Sequence, residues 1–430
     1  MAIGDLVRAD RVHSRVYTDA DLFAAERRLL FSRTWLFLCH ESQIPQPGDF
    51  VLGRLAGRSV IAARQRDGSV AAMFNRCGHR GAQVCQQEQG RTARFRCPYH
   101  GWSYALDGTL AGIPMRAGYA EDFDLHDPEL ALQRVPRIDT YRGFVFASLA
   151  AEGPDLRSFL GFMASAIDDM VDRAPDGELE MAGGVHKHVF AANWKLQVEN
   201  LQDYIHPTFA HESSNAAPKT KDPSGKELRT DDIMTANAGA DFEWIERAGV
   251  WAYPGGHSCI GGLPVKQGFP PEAEARYRAA LIARNGEARA SEILAVSRHQ
   301  AIVYPTLSVQ AAYQMLKVIQ PVSVDHTEIL VYPFRLKGAP AEYHRASVTF
   351  TNAANAPASP ILTDDLAIYE RAQRQMRESP GWIRFANGLG RDAPDNRGGM
   401  HGPGYSELAM RNQFKAWAQY MGADAAPGAA

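Results

Sequence analysis

The chain has 430 residues, 45% of them hydrophobic and 22% charged, the usage of an ordinary globular protein of about two domains whose core needs no staples. Its net charge of −3, with Lys and Arg scattered instead of clustered, gives no electrostatic footprint for nucleic acid. No run of about 18 uncharged apolar residues occurs, and the opening stretch MAIGDLVRADRVHSRVYTDADLF carries charges every few residues. Neither a membrane span nor a signal peptide is read, and the cytoplasm is the expected location.

Thr18 or Asp19 can cap a helix from Asp21 to Trp35, where Leu22, Phe23, Leu29, Leu30 and Trp35 fall at roughly helical spacing. From Gly48 to about Leu149 the texture changes to short β-type runs: DFVLGRLAG, RSVIAARQ, SVAAMFN, RTARFRC and RGFVFASL. Gly, Asp and Pro separate them, which predicts a small β-sandwich or barrel. After Gly153 a helical stretch, LRSFLGFMASAIDDMVDRA, leads into the strand-like HKHVFAANW and a second helix, KLQVENLQDYIH. Residues 213–245 read as polar loop, and 271–300 as one or two amphipathic helices ending near His299. AIVYPTLSVQAAY, QMLKVIQPVS, TEILVYPFRL and ASVTFTN are strand candidates; TDDLAIYERAQRQMRE and SELAMRNQFKAWAQYM are closing helices before a disordered tail, ADAAPGAA. Strands interrupted by long helices, without regular βαβ alternation, predict an α+β fold.

The five cysteines, Cys39, Cys77, Cys85, Cys97 and Cys259, are an odd number. In a reducing compartment such thiols more often bind metal, do chemistry or fill a core than form disulfides. Two stand in short pairs with histidine: Cys77-Gly-His79 and, after seventeen residues, Cys97-Pro-Tyr-His100. Two thiolates and two imidazoles suit tetrahedral zinc, and they suit a Rieske [2Fe–2S] cluster, in which two His replace two Cys on one iron. The flanking residues favour the cluster. Both pairs end β-like runs, in CGHRG and CPYHGW, whereas a zinc finger would place its His pair on a helix. Gly78, Gly81 and Gly101 let the backbone wrap closely around a sulfide-bearing centre. Cys39, Cys85 and Cys259 read as buried small residues.

Cys77-x-His79 and Cys97-x-x-His100, with Arg80-Gly81 and Gly101-Trp102 beside them, resemble the Rieske domain of aromatic-ring-hydroxylating non-haem iron oxygenases. The resemblance extends from Arg33-Thr-Trp-Leu-Phe-Leu to Arg411-Asn-Gln-Phe. It implies a large (alpha) subunit in which an all-β Rieske domain over 41–152 holds its cluster through Cys77, His79, Cys97 and His100. The rest, 1–40 and 153–430, would be a catalytic domain with an antiparallel sheet covered by helices and a mononuclear Fe(II).

In that second part His206 and His211 are five apart, in NWKLQVENLQDYIHPTFAH. On one regular helix this spacing splays the two imidazoles. The chain must therefore bend between them, and Pro207 is placed for a break. Two imidazoles and a carboxylate form the facial triad of non-haem Fe(II) oxygenases, with positions left open for O₂. The carboxylate must come from elsewhere, and Asp364-Asp365, read as opening a late helix, is the candidate. Family spacing to Glu370 points to Asp365; Asp364 is the fallback, with N-capping as its plain structural role. The same resemblance gives Asp203 a bridging place between His100 of a neighbouring subunit and His206 of its own. Asn200 precedes Asp203 by three residues where the family often shows four, so an active-site role competes evenly with a place on the helix surface. His186 and His188 read as structural, and His257 and His299 as residues that could contact substrate. His40, His326 and His401 are unassigned.

The resemblance further implies electrons from a separate NAD(P)H-dependent reductase, directly or through a ferredoxin, because this chain carries no flavin or nicotinamide fingerprint. Electrons would pass by His100, Asp203 and His206 to the iron of the adjacent subunit, which calls for a homotrimer, expanded to α₃β₃ where a small β subunit is added. O₂ is the co-substrate and a small aromatic molecule is hydroxylated, most simply to a cis-diol; a monooxygenase or an O- or N-demethylase is the alternative. If the substrate is an aromatic carboxylate, an Arg should line its pocket, and Arg298, Arg391 and Arg397 are candidates. A non-catalytic Rieske electron carrier would not need the residues after the Rieske segment. A zinc-stabilised binding protein would lack iron and sulfide.

Overall fold

Short apolar and β-branched runs punctuated by glycine build the smaller of two units in this computed structural model, Phe31–Phe159; the larger is Met1–Leu30 with Leu160–Ala430. The structure describes residues 3–213, 242–263 and 271–422. The polar stretch read as loop over 213–245 and the tail therefore lie almost wholly outside the described residues.

The smaller unit contains β1 (Leu36–His40), β2 (Asp49–Leu55), β3 (Arg58–Arg64), β4 (Val70–Phe74), β5 (Gln89–Arg91), β6 (Phe95–Arg96), β7 (Ser103–Tyr104), β8 (Leu110–Gly112), β9 (Arg137–Tyr141) and β10 (Phe144–Ser148). They form three antiparallel sheets, ordered β4-β3-β2-β5, β8-β7-β6 and β9-β10-β1. The boundary expected at 41 leaves out β1, yet β1 pairs with β10 inside this unit, Phe144 opposite His40. Phe50, Ile61, Met73, Phe95, Trp102 and Tyr104 form the core, with Cys77 and Cys97 buried among them.

In the larger unit α1 (Ala20–Leu29) is capped by Asp19, whose carboxylate accepts from the N–H groups of Asp21 and Leu22 at 3.0 and 3.2 Å. It ends at Leu29, short of the expected Trp35. The residues that follow bury Leu30, Phe31 and Trp35 in a turn that feeds β1. Then come α2 (Ala164–Asp172), β11 (Leu179–Met181), β12 (His186–Phe190), α3 (Trp194–Asn200), α4 (His206–Ala210), β13 (Gly249–Ala252) and β14 (Ser258–Gly261). The chain continues with α5 (Pro271–Asn285), α6 (Glu287–Ala295), β15 (Arg298–Val303), β16 (Leu307–Gln310), β17 (Met315–Ser323), β18 (His326–Leu336), α7 (Ala341–Asn355), α8 (Pro360–Glu378), β19 (Ala393–Pro394), β20 (Met400–Pro403) and α9 (Leu408–Tyr420). Ten strands make one sheet, ordered β11-β18-β17-β16-β15-β14-β13-β20-β19, with β12 also on β18. The α+β expectation, an all-β unit beside an antiparallel sheet covered by helices, matches this architecture.

Two further sequence expectations are corrected. ASVTFTN, read as a strand, lies inside α7. Its β-branched residues suggest a strand, but the buried positions Tyr343, Ser347, Phe350, Thr351 and Ala354 recur with helical period, and burial outweighs intrinsic propensity. The second change concerns KLQVENLQDYIH, which is not one helix. α3 stops at Asn200, and Asp203 accepts from the N–H groups of Ile205 and His206 at 2.6 and 3.4 Å, so a new helix starts there.

One sheet face is covered by α7 and α8. Phe190 on β12 packs its ring 5.1 Å from that of Tyr369 on α8, and Asn355 on α7 donates to the Met315 sulfur on β17 at 3.5 Å. Beneath α3, the buried Glu26 carboxylate accepts the indole N–H groups of Trp194 (2.9 Å) and Trp417 (2.6 Å) and pairs with Lys195. This anchors α1, α3 and α9 to one another.

Candidate active site

The smaller unit presents two matching loops. In the first, the Gly81 N–H donates to the Cys77 carbonyl at 2.9 Å; in the second, Gly101 donates to that of Cys97 at 3.0 Å. Both glycines have left-handed φ, 70° and 72°, a conformation that a side chain disfavours. Gly78 is needed for another reason: a Cβ there would stand 2.4 Å from the Leu130 carbonyl oxygen. The loops bring the His79 and His100 rings to 4.7 Å, and Trp102 stacks on His79 at 4.8 Å and 3°. The Tyr104 hydroxyl lies 3.0 Å from the Cys77 sulfur and accepts from the Gly78 N–H at 3.1 Å. Burial, with smaller effects of His100 and Arg80, lowers the His79 pKa, so a neutral imidazole is available to bind metal. Its Nδ1 is buried and has no hydrogen-bond partner. Two soft thiols and two imidazoles on loops this close, one with an orphaned nitrogen, fit a Rieske cluster.

In the larger unit His206 opens α4 and His211 is its C-cap residue, with φ −105° and ψ 26°. Pro207 thus starts this short helix, where its missing N–H costs nothing, and does not break the chain between the histidines as expected. The divergence of a five-residue step is resolved at the C-cap, where His211 leaves helical geometry. Both Nε2 atoms turn to one oxygen of Asp365: His206 at 3.7 Å and His211 at 3.5 Å. One ligand atom from each of the three lies within 4.8 Å of the others, a donor set that suits a facial-triad iron.

Behind the triad stand residues the sequence reading placed less firmly. Asp203 faces His206 Nδ1 at 3.7 Å, and Asp364 faces His211 Nδ1 at 3.4 Å. Asp364 is not the N-cap of its helix: α8 begins earlier, at Pro360, where the Ser359 hydroxyl accepts from Leu362 N–H at 3.0 Å. Asn200 donates to Asp365 Oδ1 at 3.0 Å, so its side chain belongs to the site. Burial alone would raise the Asp203 pKa, but the neighbouring His206 imidazole and the N–H groups of Ile205 and His206 hold it below the usual carboxylate range.

His299 accepts or donates at Nδ1 with the Tyr204 hydroxyl, 2.9 Å, and stacks against Trp244, so it lies beside α3 and α4. His257 instead accepts the Tyr304 N–H at 2.9 Å, a structural bond. The three arginine candidates are engaged elsewhere. A one-residue bulge at His299 leaves Arg298 paired with Asp169 and bonded to the Ser165 hydroxyl at 3.0 Å. Arg391 donates to the Tyr405 hydroxyl at 2.8 Å, and Arg397 lies over the Phe162 ring.

A β-unit with paired Cys/His loops and a helix-covered sheet with a two-His, one-carboxylate cluster define a protein built for a [2Fe–2S] centre and a separate mononuclear metal. The Rieske [2Fe–2S] domain family matches residues 34–134, and the catalytic domain of the ring-hydroxylating alpha subunit matches 177–423. The chain belongs to the family of ring-hydroxylating oxygenase alpha subunits, oxidoreductases that carry a Rieske cluster and non-haem iron and use O₂. It is 32% identical to the 2-halobenzoate 1,2-dioxygenase large subunit of Burkholderia cepacia over 89% of this chain and 80% of that one. It is 34% identical to the toluate 1,2-dioxygenase alpha subunit of Pseudomonas putida over 76% and 71%. A solved naphthalene 1,2-dioxygenase variant with bound phenanthrene superposes with a TM-score of 0.83 at 27% identity, covering 98% of this chain and 95% of that one. Such enzymes draw electrons from reductase or ferredoxin partners and act as multimers. Among the described residues no helix is long and apolar enough to cross a membrane.

Proposed function

We propose that this chain is the catalytic subunit of a dioxygenase that cis-dihydroxylates an aromatic carboxylate. Cys77, His79, Cys97 and His100 hold the cluster, and His206, His211 and Asp365 hold the iron. When bound, the cluster supplies electrons one at a time and the ferrous ion activates O₂. The protein's own part is orientation. Asp203 and Asp364, facing the Nδ1 atoms, keep the proton there and leave each Nε2 lone pair free toward the centre. Asn200 occupies one lone pair of Asp365 Oδ1 and limits how that carboxylate can turn.

The convergence of His206, His211 and Asp365 within 4.8 Å carries this reading. The halobenzoate, toluate and anthranilate dioxygenases among the relatives favour an acid substrate and a diol product over demethylation. The assembly proposed is a trimer, with a small β subunit added, in which Asp203 faces His100 of the next copy.

The test is metal and sulfide analysis of anaerobically purified protein, followed by turnover of benzoate with a reductase under ¹⁸O₂. About three irons and two sulfides per chain and a diol labelled at both oxygens are expected. Zinc without sulfide would overturn the reading, a singly labelled hydroxybenzoate would replace it with a monooxygenase, and formaldehyde released from methoxybenzoate without any diol from benzoate would replace it with a demethylase.

A further inference from the structure

The sheet face covered by α7 and α8 is apolar over most of its width, with Met315 and Ile319 on β17, Ile329 and Val331 on β18 and Ile302 on β15 all buried. Among the polar side chains that interrupt it, Lys317 and Ser308 stand side by side. Lys317 lies two residues from Met315 and Ile319 and so points to their side. Ser308 is its direct partner on β16, and Ile302 is opposite Ser308. Directly paired residues share a face, so both look toward the helix that carries Asp365.

Neither is satisfied by a described residue. The Ser308 hydroxyl is fully buried without a hydrogen-bond partner among the described residues. The Lys317 ammonium makes no hydrogen bond or ion pair with any described residue. Asp365 favours its charged form from beyond ion-pair distance, against burial, which pushes the amine down to about 8. An ammonium and a hydroxyl left without partners side by side in an apolar wall are costly unless something completes them. What completes them must accept hydrogen bonds and carry negative charge.

We infer that Lys317 and Ser308, neighbours on adjacent strands, form the subsite that takes the carboxylate of an aromatic acid substrate, an inference that rests on the dioxygenase reading above. A carboxylate only accepts, through two oxygens with room for about four bonds. Lys317 supplies the charge and Ser308 one O–H. Held there, the acid group is anchored on the same face that looks at Asp365, and its ring is presented to the triad. This also answers why no arginine serves: Arg298, Arg391 and Arg397 are tied to other groups. A neutral amide would place its own N–H donors against these donors and lose the charge attraction.

The test is calorimetric binding of benzoate and benzamide to the anaerobic holoenzyme near neutral pH. Wild type is expected to favour benzoate by about tenfold or more, since a site built for polar contacts rejects the analogue that cannot make them. Lys317→Met should bring the ratio near one while leaving benzamide affinity alone, and Lys317→Arg should keep most of the preference. Ser308→Ala, which removes one buried hydroxyl, should weaken benzoate several-fold; it decides the matter if the Met variant fails to show the wild-type cluster spectrum and melting temperature. An unchanged ratio in Lys317→Met, or in Ser308→Ala in its place, overturns the subsite and leaves the dioxygenase reading intact. A wild type that binds toluene but does not prefer benzoate overturns the acid-substrate reading and the subsite together.

Discussion

Asn200 reaches Asp365 across 165 positions of sequence with one 3.0 Å hydrogen bond. Removing the amide by Asn200→Ala frees the carboxylate to rotate away from the two Nε2 atoms. The expected result is a ferrous affinity about tenfold weaker, the lower end of the usual range for lost partners of metal ligands, with the visible spectrum of the cluster unchanged. Titration of Fe(II) into the iron-free protein measures it, and an unaltered dissociation constant would return Asn200 to a purely structural role.

The preceding residue offers a test by pH. Glu199 accepts from the Tyr17 hydroxyl at 2.8 Å and the Gln413 amide at 3.3 Å. Burial pushes its pKa up to about 8, against the pull of Tyr17 and Lys195. In the unfolded chain it titrates near the ordinary value of about 4.3. Between those limits the folded protein keeps a proton that the unfolded chain has released, so stability falls as pH rises through this window and levels off above about 8. Glu199→Gln keeps the neutral shape and the accepting oxygen. Urea midpoints compared at the two ends of the window should show a shallower decline in the variant; equal slopes would mean that Glu199 is ionised in the fold.

At the scale of elements, local pairs were easier to read than distant ones. The two Cys/His loops are each contained in a few residues, and the spacing of the pair and its glycines is itself the geometry. The triad is different. His206 and His211 are visible as a pair, but their convergence depends on a C-cap at His211 and on a helix start at His206, just after Asp203, that no periodicity announces. Asp364 looked like a cap because it is acidic and near a helix start; the helix begins at Pro360 under Ser359. The misread strand ASVTFTN has the same origin, since composition favoured a strand and only the burial pattern of α7 distinguishes the two.

Ser359 therefore has a measurable place in positioning the metal. Its hydroxyl satisfies a backbone N–H at the start of the helix that carries both acidic residues of the site. Ser359→Ala should cost about 1 kcal/mol of stability, read from denaturant unfolding. Ser359→Thr, which keeps a hydroxyl to accept from this buried N–H, should retain most of it. A variant as stable as wild type in the first case would show that the end of α8 is held by packing alone.

The whole molecule divides its chemistry between two units with separate donor sets, Phe31–Phe159 carrying Cys77, His79, Cys97 and His100, and the remainder carrying His206, His211 and Asp365. On the proposed assignment the iron has only three protein ligands, two of them imidazoles, so it should exchange with chelators, whereas a cluster set between buried thiolates should not. Treatment with a ferrous chelator under argon is expected to remove about one iron per chain, leave the cluster absorbance in place and abolish turnover, with recovery on adding Fe(II) and none on adding zinc. A metal that binds only the folded state stabilises it in proportion to the logarithm of its excess over the dissociation constant. The larger unit should accordingly unfold at lower temperature after chelation while the loss of cluster colour on heating keeps its own midpoint. If the cluster bleaches together with the chelated iron, the two donor sets do not hold separate centres and the ligand assignment must be redrawn.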